Sequence, residues 1–446
     1  MLKSQISTHF RLRIFHIFER LLCLTLFRFF LIRRNFNFIS NNYSSRLISD
    51  ASNKACVWFH AASAGELEIL WEVILETSRT GSKIVITVFS VSGLVPLKRL
   101  VDELEVLGNC VAHFGLSPFE SYWEASLKKF KPDLFVTAKY EAWPDIWCSL
   151  SLLNIPILIV NASSRPSLLL AKKMCTWLGV TVPSIIFTAQ EQEALNLAQH
   201  FPKSDVVILA DPRWDRVMKR SRIGNLRAQK LVEQLKELPR PWGVLGQIWP
   251  EDLNLWLPSL IDFTGTLWIV PHKVDLKHMK ATLRKLEEPS QKVSSVSRYI
   301  LTSALNEKSE KNIQEMGGKV AADSSTPFVI VDEMGFLSEL YSAVDWAYVG
   351  GGFTRSPHST IEPAIYGIPV SVGPKRIDEF PEIRQLQIID QLTVLHDAPE
   401  IKSWLTKVST FGKEKSSKWE CNRDSRLGAS KQISTLIQQI VSKSSP

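Results

Sequence analysis

The chain has 446 residues, 45% of them hydrophobic and 22% charged, enough for two or three domains with buried cores and too apolar for a disordered polymer. Its formal charge of +8 is concentrated at one end: residues 1–50 carry Lys3, Arg11, Arg13, Arg20, Arg28, Arg33, Arg34 and Arg46 against Glu19 and Asp50. The rest is nearly neutral, without the basic run a nucleic-acid surface needs, and the six cysteines form neither a CxxC pair nor a zinc-spaced Cys/His cluster, which fits buried thiols in a reducing compartment.

Residues 10–34, FRLRIFHIFERLLCLTLFRFFLIRR, are aromatic and apolar but interrupted by Arg13, Glu19, Arg20 and Arg28. A spanning helix wants about 20 largely uncharged residues, and a cleavable signal needs an unbroken apolar stretch. Arg13, His16 and Arg20 fall near one helical face. The spacing predicts an amphipathic helix lying in a membrane interface, arginines on lipid phosphates and aromatics in the acyl boundary.

From residue 55 short apolar runs alternate with helical patterns: CVWFHAA (56–62), KIVITVF (83–89), LFVTA (134–138), PILIVNA (156–162), SIIFTA (184–189) and VVILA (206–210). Such alternation implies a parallel sheet covered on both faces. The first strand runs into Ser63-Ala64-Gly65-Glu66. Ser-x-x-Glu is the signature of a helix capping box. It is also where a strand-to-helix turn puts a carboxylate at the mouth of an α/β sheet, so Glu66 reads as a cap or as a catalytic base.

A polar helical stretch, IGNLRAQKLVEQLKELPR (223–240), interrupts the alternation. It resumes with WGVLGQIW, LWIVP, RYILTS, FVIVDEM, WAYVGGG and IPVSVG. The organisation expected is a membrane-associated segment (1–50), a first Rossmann-like domain (51–225), a linker (226–240) and a second Rossmann-like domain (241–446), the two facing a cleft. A final helix, about 425–441, is expected to pack back on the first domain. Ligands of open α/β sheets bind beyond the carboxyl ends of the strands.

In the second domain a strand ends in Gly350-Gly351-Gly352, and His358-Ser359-Thr360-Ile361-Glu362 opens a short helix. Glycines let a backbone approach a phosphate closely, and Ser359-x-x-Glu362 repeats the capping pattern. Pro271-His272-Lys273 follows the strand LWIV, and Arg213 lies in ADPRWD. Each can be a solvated turn or an anion contact.

The blocks together resemble the 3-deoxy-D-manno-octulosonic acid (Kdo) transferases of lipopolysaccharide synthesis. They are WFHAASAGE, YEAWPDIW (140–147), NASSRPS (161–167), ADPRWD, GQIWPED (246–252) and VGGGF…HSTIEPAIYGIPVSVGP. The resemblance implies an α/β protein of GT-B type, two Rossmann-like domains. It implies transfer of Kdo from CMP-Kdo to a lipid A precursor, without a metal or further cofactor, at the cytoplasmic face of the inner membrane. Glu66 becomes the general base, with Ser63, Gly65, Glu141 and Arg165 on the acceptor side. Arg213, Pro271, His272, Lys273, Gly335, Gly351, Gly352, His358, Ser359 and Glu362 fall on the donor side. The chain departs from the usual pattern at Lys139, where a glutamate is common, at Gln247 for serine, at Ser356-Pro357-His358-Ser359 for Gly-Gly-His-Asn, and at His272-Lys273 for Arg-His. A GT-B transferase using another nucleotide sugar, and a non-catalytic membrane-bound relative, are the competing readings.

Overall fold

The computed structural model describes residues 54–105, 110–114, 127–139, 141–180, 183–260, 262–287, 299–305, 328–410 and 417–444. The amphipathic segment expected at 10–34 lies outside them. Among the described residues no helix is long and apolar enough to cross a membrane.

The chain divides into two units, residues 1–216 with 426–446, and residues 217–425. Unit 1 holds β1 (Cys56–Ala61), β2 (Lys83–Val88), β3 (Cys110–Phe114), β4 (Leu134–Ala138), β5 (Ile157–Val160), β6 (Ile185–Thr188) and β7 (Asp205–Ile208). They form one sheet in the order β3-β2-β1-β4-β5-β6-β7, and every pairing is parallel. The apolar runs are continuous because both faces are buried. Val57 and Phe59 of β1 enter one core layer, Cys56 and Trp58 the other, as a period of two requires.

Helix α1 (Ala64–Arg79) follows β1 and contributes Leu67, Leu70, Val73 and Ile74 to the first layer. Helix α2 (Ala429–Ser444), at the far end of the chain, adds Ile433, Ile437 and Val441 to the same layer. Burying three such side chains is worth roughly 1.5–3 kcal/mol each. Its entry is fastened by Asp215, whose carboxylate accepts from the backbone N–H of Gly428 at 2.6 Å and of Ser430 at 2.8 Å.

Unit 2 holds β8 (Trp242–Ile248), β9 (Thr266–Pro271), β10 (Tyr299–Leu301), β11 (Phe328–Ile330), β12 (Trp346–Val349), β13 (Val370–Val372) and β14 (Leu392–Val394). The order is β10-β11-β9-β8-β12-β13-β14, again parallel throughout. Trp256 stacks on Trp346 with ring centroids 5.7 Å apart. Gly243 is small for this reason: a Cβ there would lie 1.9 Å from the Trp346 ring.

Residues 226–240, expected to link the domains, instead build unit 2. Leu226–Gln234 is a helix, and Ala228, Leu231 and Leu235 are core residues beside Trp242 and Val244. Asn225 caps this helix through Oδ1, which accepts from the N–H of Arg227 at 2.9 Å and of Ala228 at 3.1 Å. The apolar stripe at Ala228, Leu231 and Leu235 is spaced as a half-buried helix, and its polar outer face made it read as a connector. The unit boundary falls earlier, after Arg216, inside the helix Arg213–Ile223.

The first strand of each sheet has its sequence neighbour on one side and a later strand on the other, so the order turns between β1 and β4 in unit 1 and between β8 and β12 in unit 2. A crevice beyond the carboxyl ends of the strands opens at such a switch point. The segments leaving β1, β4, β8 and β12 therefore carry the candidate chemistry.

Candidate active site

In unit 1 the β1–α1 turn supplies Ser63, Gly65 and Glu66, and the segment after β4 supplies Lys139 and Glu141. Ser63 is the N-cap of α1, but its side chain makes no capping bond. Its hydroxyl donates to the Glu66 carboxylate instead. The capping box expected from Ser-x-x-Glu is therefore not formed, because the hydroxyl is committed to the carboxylate and not to the helix N–H groups. Glu66 is buried. Gly65 is exposed, and a Cβ there would meet only Ser63 Oγ at 3.8 Å, so packing does not require glycine.

Glu141 approaches the same place. Its Oε2 accepts from Trp143 Nε1 at 3.0 Å. Burial, and then the neighbouring Glu66 charge, push its carboxyl up to about 7, against the weaker opposing pull of the Trp143 bond. Two carboxylates in a poorly solvated place resist double ionisation, and near neutral pH Glu141 holds its proton for part of the time.

A second cluster lies at the ends of β5 and β7. The Asp211 carboxylate is buried. Its Oδ2 accepts from Asn161 Nδ2 at 2.7 Å and from Arg213 Nε and Nη2 at 2.9 and 2.6 Å, while Oδ1 accepts from the Arg213 N–H at 2.9 Å. Burial opposes its ionisation, but Arg213 and then Lys139 outweigh it and hold the carboxyl below its ordinary value. Arg213, expected on the donor side, thus belongs to unit 1, where Asp211 fixes its guanidinium. Arg165 stands at the N-cap of helix Pro166–Leu178. Lys139 and Asn161 have φ of 58° and 53°, the left-handed region, which is uncommon outside glycine and turns both side chains at their strand ends.

In unit 2 the organising group is Asp252, which is fully buried. One oxygen accepts from the N–H of Trp249 at 2.9 Å and of Gly351 at 3.1 Å, the other from Tyr348 Oη at 3.1 Å. Asp252 so ties the turn after β8 to the glycine turn after β12. The glycines are set by crowding: a Cβ on Gly350 would lie 2.5 Å from the Gln247 carbonyl oxygen, and on Gly352 2.6 Å from the Gly373 nitrogen. Gly351, at φ 95°, needs glycine for its conformation as well. The Gly351 N–H, expected to face a phosphate, is taken by Asp252.

His272 follows Pro271, the last residue of β9. Its ring stacks on that of His358, with centroids 4.3 Å apart at 15°. His358 Nε2 is buried without a partner among the described residues. Burial, aided by His272 and Arg355, depresses this imidazole to about 4. His272 is also lowered, by burial and by Lys273, Arg355 and His278.

Ser359 is not the N-cap of the following helix. That place falls to Thr360, with no side-chain capping bond, so the second Ser-x-x-Glu is not a capping box either. Glu362 lies in the first turn of Ile361–Ala364 and its charge acts on the buried Tyr341 hydroxyl. Gly335 is exposed at φ 105° with open space around it. Spacing alone did not single out Trp249, Asp252, Asp211, Asn161 or Arg355. The runs GQIWPED, NASSRPS and ADPRWD contain Trp249, Asp252, Asn161 and Asp211, but which groups they hold is set by contacts such as Asn161 with Asp211 and Gly351 with Asp252, far apart in the chain.

Comparison with known proteins agrees with this architecture. Residues 33–216 match the family model described as 3-Deoxy-D-manno-octulosonic-acid transferase (kdotransferase). The chain is 24% identical over 330 residues to the 3-deoxy-D-manno-octulosonic acid transferase of Chlamydophila psittaci, covering 71% of this chain and 69% of that one. It is 23% identical over 349 residues to the enzyme of that name from Haemophilus influenzae, covering 74% and 73%. Among solved structures it is similar to UDP-GlcNAc 2-epimerase from Neisseria meningitidis, with a TM-score of 0.56 at 13% identity, covering 87% and 100%. Such neighbours share the fold, two Rossmann-like domains of GT-B type.

Proposed function

We propose that this chain, which belongs to the 3-deoxy-D-manno-octulosonic acid transferase family of glycosyltransferases, moves Kdo from CMP-Kdo to a lipid A precursor with Glu66 as general base. The observation that carries the reading is the carboxylate pair at the unit 1 switch point. Glu66 is buried, is not a helix cap, and stands beside a second carboxyl, Glu141, raised to about 7.

The acceptor's hydroxyl oxygen attacks the anomeric carbon, and Glu66 takes the hydroxyl proton. A base held at the hydroxyl and shielded from competing water works best. Ser63 orients the Glu66 carboxylate by its hydrogen bond. Glu141, protonated for part of the time at neutral pH, can donate to an acceptor oxygen while Glu66 takes the proton. Attack at the anomeric carbon on the face opposite the departing phosphate inverts that centre. The bond from that carbon to the phosphate oxygen breaks, and its electron pair stays on the phosphate. The growing charge is met by fixed donors and cations of unit 2, His358, His272 and Lys273, without a metal. Glu362 accepts from the ribose hydroxyls, the fixed Arg213 serves the donor's anionic group, and Arg165 serves the acceptor. The arginine-rich, aromatic segment at 10–34 holds the enzyme to the cytoplasmic face of the inner membrane, where an amphiphilic acceptor resides.

The test is incubation of the full chain with CMP-Kdo and a lipid A precursor, followed by mass analysis of the product. The expected product carries added Kdo, and Glu66→Gln reduces turnover by about 10²–10⁴-fold with unfolding unchanged within about 1 kcal/mol. Wild-type turnover in a folded Glu66→Gln variant would refute the base assignment. A preference for UDP over CMP in binding would refute the donor.

A further inference from the structure

Unit 2 carries a stack of four groups from three segments, those that follow β8, β9 and β12. The Arg355 guanidinium lies 3.7 Å from the Trp249 ring centroid. Trp249 packs on His272 at 4.6 Å, and His272 on His358 at 4.3 Å. The stack stands beyond the carboxyl ends of β8, β9 and β12, and its last ring holds the His358 Nε2, buried and without a partner among the described residues.

The groups whose charge lowers the two imidazoles are all basic side chains: Lys273 from the segment after β9, His278 from the helix Leu276–Glu287, and Arg355 from the loop after β12. The nearby carboxylates are engaged elsewhere. Asp252 holds Trp249, Gly351 and Tyr348, and Asp275 holds His278 at 2.7 Å. A histidine pair beside basic groups, with no free carboxylate acting on it among the described residues, is neutral at pH 7. Both groups carry depressed values, His358 at about 4. An entering anion reverses the sign of the local field and makes the imidazoles more basic.

We propose that the stacked His272–His358 pair is a proton-loaded receptor for the phosphate of a nucleotide: it is neutral when empty and takes one proton from solvent as the phosphate binds. This rests on unit 2 as the donor site. A fixed arginine in place of His272 would bind the same group at any pH. The imidazole pair instead couples affinity to pH and responds to the reaction itself. When the bond to the anomeric carbon breaks, the electron pair passes to the phosphate oxygen and adds one negative charge. The imidazolium is then held more firmly, and the phosphate, whose second ionisation lies near pH 6, leaves as the dianion.

The experiment is calorimetric titration of the full chain with CMP at pH 7.5, in two buffers of different ionisation enthalpy, with affinities followed from pH 6 to 8.5. Wild type is expected to take up close to one proton per CMP, and its affinity to fall by up to about tenfold per pH unit on the alkaline side. His272→Arg is expected to take up none and to keep its affinity at pH 8.5. His272→Gln is expected to bind weakly, with little dependence on pH. CMP binding without proton uptake overturns the receptor and leaves the donor assignment standing, and uptake that persists unchanged in both variants overturns it too. Binding of UDP but not CMP, with the same uptake, keeps the receptor and overturns the donor assignment. No binding of either nucleotide overturns both.

Discussion

Replacing Glu141 by glutamine tests the carboxylate pair through stability, independently of any substrate. The Glu141 carboxyl rises from the ordinary 4.5 to about 7 in the fold, first through burial and then through the Glu66 charge. A raised carboxyl binds a proton more tightly folded than unfolded, so its effect on stability has a definite sign. Below pH 4.5 both states are protonated and there is no penalty. Between 4.5 and 7 the folded state keeps a proton the unfolded chain has lost, and stability falls as pH rises. Above 7 the full cost of the buried charge is present. A shift of about 2.5 units corresponds to about 3 kcal/mol, an upper bound for a group with partial access to water. Glutamine has no charge to lose, and its amide oxygen can still accept from Trp143 Nε1. Glu141→Gln should therefore match wild type at pH 4.5 and exceed it by up to about 3 kcal/mol at pH 8.5. Denaturant unfolding followed by tryptophan fluorescence at the two pH values measures the difference. A change in stability that is equal at both pH values would show that Glu141 ionises normally and that the pair is not coupled.

Three further outcomes follow from the geometry. Asp252→Ala leaves the N–H of Trp249 and of Gly351 and the Tyr348 hydroxyl without their acceptor, which should cost about 3 kcal/mol or more and loosen the glycine turn, read as lost stability together with weaker CMP binding. Gly352→Ala places a Cβ 2.6 Å from the Gly373 nitrogen; backbone cannot give way as a side chain does, and about 1–3 kcal/mol of destabilisation is expected in thermal unfolding. Cys56, Cys148 and Cys175 are buried and burial pushes the Cys56 thiol up to about 12; none of the three should react with a thiol-specific reagent at pH 7.5 until the protein is unfolded, with peptide mapping as the readout.

The strands and their parallel arrangement were legible from sequence, because a strand buried on both faces must be apolar at every position. Val57, Trp58 and Phe59 show this, dividing between two core layers while forming one uninterrupted apolar run. The triple glycine stood out in the sequence as a turn that could approach a phosphate, and the structure adds that backbone crowding leaves no alternative to glycine at 350 and 352. The two Ser-x-x-Glu turns read from sequence as caps or as placed carboxylates, and neither forms a capping box. A short pattern records what a serine hydroxyl can reach, not which of its neighbours it selects. At Ser63 the chosen partner is the Glu66 carboxylate, and at the second turn the N-cap is Thr360. The segment 226–240 misled as a linker because three apolar residues in a polar helix mark a packed face only once Trp242 and Val244 are there to receive them.

The sequence by itself therefore determined the alternating α/β organisation and named Glu66, His272 and His358 as chemically interesting, which depends on residue type, local period and order along the chain; Glu141 was named through the family resemblance. Only the tertiary structure decided what those residues touch. The strand order brings the ends of β1 and β4 side by side across 72 residues of chain between Ala61 and Leu134. That adjacency sets the Glu66 charge against Glu141 and raises its carboxyl. In the same way β8, β9 and β12 lie together and assemble Arg355, Trp249, His272 and His358 into one stack. Charge coupling and ring stacking depend on distance through space, and distance through space is set by sheet order, which no local pattern encodes.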